Sequence, residues 1–177
     1  MDKEREMSPA ERAKKRLTAF RDLQQTIDFK TERLERMAEK LTSVGSPQIS
    51  DMPKAPPGSG NDRMIDAICR KIELEQEIQQ DIAKERAEYD AILLITKAMT
   101  KPDEQAVIQL RYLDGAKWET IAAALYSTRD DYETKADYYL RQTFRKHGTA
   151  LLGFAAAEDE LMERKDKGGG KKAARGS

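Results

Sequence analysis

The chain is 177 residues long, room for one compact domain with or without an appendage, and its 32 Lys+Arg balance its 32 Asp+Glu. Charged residues make up 36% and apolar residues 38%, against about 25% and 45–50% in an ordinary globular chain; this argues against a ball around one large core and for long charged helices that need one apolar stripe each. Apolar runs such as Ala91 to Ile95 are far too short to span a membrane, MDKEREMSPAERAKKR lacks the apolar core of a secretion signal, and Cys69 is the single cysteine, so a membrane span, secretion, an internal disulfide and a cysteine-based zinc site are all disfavoured and a cytoplasmic location is expected.

Residues 8 to 43 contain no glycine, and no proline after Pro9. Ala13, Phe20, Ile27, Leu34 and Leu41 recur every seven residues, Leu23 and Met37 add a second series, and Lys30 interrupts it. Ser8-Pro9 followed by Glu11 has the form of a capping box with proline at the first helical position. One long helix is expected here. Residues 44–61, VGSPQISDMPKAPPGSGN, hold four of the six prolines and read as a semi-extended linker. A second long helix is expected over 62–99. Its broken stripe is Met64, Ile65, Ile68, Ile72, Ile78, Ile82, Tyr89, Ile92 and Met99, with Cys69 a small buried hydrophobe in it. Six basic residues stand against nine acidic ones over that range. Two long helices with seven-residue spacing on either side of a linker predict an antiparallel, coiled-coil-like hairpin over 8–99, one that spaces or dimerises rather than catalyses.

Residues 101–154 change character. Lys101-Pro102-Asp103 ends one helix and starts another, with Val107, Leu110 and Leu113 facing inward. Gly115 marks a turn. Trp118, Ile121, Ala122 and Leu125 then stand at i, i+3, i+4 and i+7 of a short helix, with Trp118 expected in the core. A third helix is expected from about Asp131 to Leu152. Short helices with tight turns are what a helix-turn-helix requires. On the third helix Thr134, Tyr138, Arg141, Gln142 and Arg145 share one face. Ala136, Leu140, Thr143, His147 and Leu151 share the other, with Tyr139 and Phe144 at its edges. From Thr134 to Thr149 there are four Lys/Arg and one acid, Asp137, a local excess of basic charge in a neutral chain. Arginine reads guanine edges bidentately, glutamine reads adenine, and lysine, threonine and tyrosine take phosphates. The expected DNA-binding residues are therefore Thr134, Lys135, Tyr138, Arg141, Gln142, Arg145 and Lys146. The bland alternative is a solvated basic face. Residues 158–177 read as a charged tail, disordered from Gly168 onward.

Leu110 to Leu125, LRYLDGAKWETIAAAL, resembles the recurrent run of sigma-70 region 4-like regulators. Together with Ser50 to Ile68 (SDMPKAPPGSGNDRMIDAI) and Phe144 to Leu152 (FRKHGTALL), it is similar to phage- and prophage-encoded ArpU/RinA-type transcriptional regulators, over roughly Lys15 to Phe154. The resemblance implies a DNA-binding regulator of phage or prophage late genes, acting in a bacterial host cell. The chain departs from the group after Tyr126-Ser127, where roughly a dozen extra residues precede Phe144-Arg145. No phosphate-binding glycine loop, HExxH or GxSxG is present, so no enzyme, cofactor or metal is expected, and His147 reads as a packed histidine. The whole is expected to be all-α, a long helical hairpin followed by a helix-turn-helix, binding double-stranded DNA, with RNA polymerase or a second copy as further partners. A small terminase-like packaging protein and a coiled-coil adaptor that binds no DNA are the alternatives.

Overall fold

A computed structural model describes residues 7–43 and 59–173. Its described residues are helical, with no strand. The elements are α1 (Pro9–Ser43), α2 (Ser59–Ala98), α3 (Pro102–Ile108), a π-helical turn (Gln109–Leu113), α4 (Trp118–Tyr126) and α5 (Ala136–Ala173). The linker read over 44–61 lies outside the described residues up to position 58, and its last three residues, from Ser59, belong to α2.

Helix α1 starts as its sequence dictates. The Ser8 backbone N–H donates to Glu11 Oε2 at 2.8 Å, and the Glu11 N–H donates to Ser8 Oγ at 3.3 Å, so two otherwise orphaned donors are satisfied reciprocally. Its C-terminal Thr42 and Ser43 hydroxyls turn back to the Glu39 and Lys40 carbonyls. Helix α3 begins at an extended Lys101 with proline in its first turn. The bend before it is fastened by Gln105 Nε2, which donates to the Met99 carbonyl at 2.6 Å. Gly115 has φ +67 and closes the turn after the π segment, a conformation that disfavours any side chain.

The chain divides into two compact units. One comprises Asp22–Ala87. Within it α1 and α2 run antiparallel: Gln24 bonds Glu85, while Lys30, further along α1, bonds Asp81 and Glu77, further back along α2. Among its described residues Leu74 and Ile78 are the buried apolar side chains. Lys30 interrupts the apolar series because it fills that place with an ion pair to Asp81 at 2.7 Å, whose side chain is only 12% exposed. The stripe expected on α2 is displaced here. Ile65, Ile68, Ile72 and Ile82 face solvent, as does Cys69, which is not the buried hydrophobe expected of it.

The other unit takes in the described residues up to Arg21 and from Glu88 on. A boundary near residue 100 therefore falls inside it. The reason is a shared core: Ala13, Leu17 and Phe20 of α1, Ile92 and Ile95 of α2 and Met99 just after it pack with Val107, Ile108, Ile121, Ala150, Leu151 and Phe154. The core also extends beyond Phe154, with Ala155 and Ala157 buried and Leu161 packed against it. Arg16 binds both Glu88 and Glu158, and Arg12 clamps Asp159 with two hydrogen bonds. These contacts give residues 158–161 a packed face, and α5 runs on to Ala173 where a tail was expected. Residues 174–177 lie outside the described part.

Candidate nucleic-acid interface

Helix α5 packs on α3 and α4 through one side. Thr143, Ala150 and Phe154 are fully buried, and Tyr139 and Leu151 nearly so. The Thr143 hydroxyl is satisfied by the Tyr139 carbonyl. The opposite side presents Tyr138, Arg141, Arg145 and Thr149 to solvent. Arg141 Nε donates to the Asp137 carbonyl at 3.2 Å, a contact that leaves its charge unopposed. Among the described residues neither Arg141 nor Arg145 forms an ion pair. Their four-residue spacing sets them about 40° apart around the helix and one turn apart along it.

The other expected contact residues are placed differently. Thr134 and Lys135 are not on α5, which starts at Ala136; they belong to the turned segment 127–135. Thr134 Oγ1 donates to the Asp131 carbonyl, and Lys135 Nζ pairs with Asp131 at 2.9 Å. Asp131 also accepts the Tyr139 hydroxyl at 2.6 Å. The Tyr139 hydrogen bond and then Lys135 hold the Asp131 carboxyl below its ordinary range. Tyr126 and Tyr132 pack on Tyr139 with ring centroids 4.9 and 5.7 Å away. The residues between Ser127 and Phe144 thus divide between a compact tyrosine-lined turn and the first two turns of α5. Gln142 is half-buried. Lys146 is tied to Asp103 of α3. Of the seven residues expected to touch DNA, the fold brings Tyr138, Arg141 and Arg145 together on one exposed helical face. Ala136 of the inward set is exposed.

Trp118 is at the rim of the core. Its ring is half-buried against Phe144, 4.9 Å away, and His147, 5.0 Å away, and the Arg111 guanidinium lies 4.5 Å from its centre. The π turn sets this up. The Asp114 N–H reaches back to the Gln109 carbonyl, five residues earlier. This wider turn brings Arg111 over Trp118 and the Tyr112 hydroxyl to His147 Nε2 at 2.9 Å. Burial first, then the charges of Lys14 and Arg111, push the His147 pKa down to about 4, so the ring is neutral at pH 7. Sequence reading missed the π turn, because Asp103 to Leu113 carries an unbroken helical pattern. It also missed Lys14 and Arg21, which share one face of α1 at i and i+7.

No family model matches the chain, and no similar curated protein or solved structure is found.

Proposed function

We propose that the protein is a sequence-specific double-stranded DNA-binding transcription regulator of the ArpU/RinA type, with α4, the 127–135 segment and α5 acting as its helix-turn-helix. The observation that carries the reading is the exposed face of α5, where Tyr138, Arg141 and Arg145 stand without acidic partners among the described residues, on a helix anchored by a buried opposite side. A helix held in this way enters a major groove as a rigid body, and paired arginines about a turn apart match successive base edges. The connection between α4 and α5 is longer than the three to four residues of a compact helix-turn-helix. In this reading Asp131, Tyr139 and the packed tyrosines substitute for a short turn by holding it rigid. The exposed Ile65, Ile68 and Ile72 of α2 support a second copy as the partner of the long helices. They are apolar residues at helical spacing with no cover among the described residues.

The test is a binding titration on a selected duplex and on scrambled DNA at two salt concentrations. Arg141→Ala and Arg145→Ala each lower specific affinity by ~1–3 kcal/mol and relax preference at one base pair. Equal losses on both duplexes would reduce these arginines to phosphate contacts. No loss on either would remove α5 as the reading element.

A further inference from the structure

Three helices of the unit that holds α5 meet at Arg16, which binds Glu88 of α2 and Glu158 of α5. Beside that junction α2 and α5 leave between them a groove of about 420 Å³. Its α2 wall is formed by Asp90, Ala91, Leu94 and Ile95. The α5 wall is formed by Glu158, Leu161, Met162 and Lys165. On α2 the spacing is i, i+1, i+4 and i+5, and on α5 it is i, i+3, i+4 and i+7, so each wall is one face of a helix. Ile95 is buried and Leu161 half-buried, whereas Leu94 is 52% and Met162 60% exposed. A single exposed apolar side chain is ordinary. Two of them bordering one apolar groove, one from each wall, make a patch that a partner would cover.

The charges around the groove say which partner. Arg16 and Glu158 cancel each other. That leaves Asp90 on the α2 wall and Lys165 on the α5 wall, both exposed and neither in an ion pair among the described residues. Nucleic acid requires a basic surface, and a strongly charged protein would meet its own sign on one wall. A second copy related by a two-fold axis presents the same patch in reverse, so that the acidic wall of each copy faces the basic wall of the other. The apolar part is self-complementary as well, since the patch carries both the projecting side chains and the slot to receive them. We propose that this groove is a contact between two copies of the chain. Leu94 and Met162 of each copy pack into the groove of the other, and Asp90 of each meets Lys165 of the other. This gives the second-copy partner a site in the unit that holds α5, and it requires neither the isoleucines of α2 nor DNA.

The intact chain is followed by sedimentation velocity over a range of concentrations, with circular dichroism to show that each variant is folded. The expected result is a monomer–dimer equilibrium. Leu94→Glu, at an exposed position, should weaken the dimer by about tenfold or more, because it puts a charge in the centre of the contact. Asp90→Lys and Lys165→Glu should each weaken it by roughly fivefold, the scale of two exposed ion pairs. An equimolar mixture of these two variants should recover the lost affinity, since both charge contacts of the mixed dimer then join opposite signs. Ile68→Glu, in the other unit, should leave this equilibrium unchanged. A chain that stays monomeric at every concentration overturns the proposal and leaves the groove to a foreign partner. A dimer that survives Leu94→Glu also overturns it, and loss of that dimer in Ile68→Glu would assign the contact to the long helices. If the mixture fails to recover while Asp90→Lys and Lys165→Glu combined in one chain do, the two charges pair within a copy and the two-fold contact is overturned. The DNA-binding reading stands or falls separately, on Arg141→Ala and a duplex.

Discussion

Among the described residues His147 faces Lys14 from α1, Arg111 and Tyr112 from the π turn and Trp118 from α4, and no acid. Its folded pKa of about 4 is below the ordinary 6.5, so the unfolded chain binds a proton at pH values where the folded chain does not. The resulting stability is complete above about pH 6.5 and is lost as pH falls from there toward 4. Urea midpoints at pH 7 and pH 4.5 check this. The drop between them should shrink in His147→Gln, and an equal drop in both proteins would mean that other groups carry it. Trp118 is half-buried, so Trp118→Ala should cost about 2 kcal/mol, below the ~3–5 kcal/mol of a fully buried aromatic. Its emission should lie between the exposed and buried extremes.

At the scale of elements, Gly148 and Gly153 of α5 have different surroundings. A Cβ at Gly148 meets nothing within 4 Å, whereas one at Gly153 lies 2.9 Å from Glu104 Oε2 and 3.4 Å from Met99 Cε. Gly148→Ala should therefore raise stability by about 0.8–1 kcal/mol, the helix-propensity difference. Gly153→Ala should gain less or lose, because Glu104 is buried and held by Lys101. Thermal melts of the two variants separate the effects, and equal gains would mean that α3 and α5 are not in close contact. The helices themselves were legible from capping residues, proline positions and the absence of glycine. The faces were less so. On α2 the buried stripe passes through Leu74, Ile78 and Asp81 rather than Ile65, Ile68 and Ile72, since an ion pair to Lys30 occupies the seam where apolarity was sought. On α5 the arginine pair was legible from its spacing. Thr134 and Lys135 were misplaced because the start of that helix is fixed by Asp131 hydrogen bonds that no local propensity reveals.

The whole chain is neutral, but its charges are unevenly spent. Acids neutralise the cations that tie α1 to Glu88 of α2 and to Glu158 and Asp159 of α5, leaving basic groups on the exposed face of α5 and beside Trp118. Residues 158–161 belong to the folded body in this arrangement. Truncation after Ala157 should lower stability by roughly 2 kcal/mol through the loss of Leu161 packing and of the acids held by Arg12 and Arg16. A melting temperature equal to that of the full chain would restore the view of this segment as a tail.

The π turn at Gln109–Leu113 amounts to a helix carrying one residue more than its hydrogen-bond ladder can use. Such a surplus is a phase shift: everything after it is rotated by about 100° relative to an uninterrupted α-helix. Deleting Leu110 alone should let the ladder close while swinging Arg111 off the Trp118 ring. One amino acid in the chain length thus sets which way the guanidinium points.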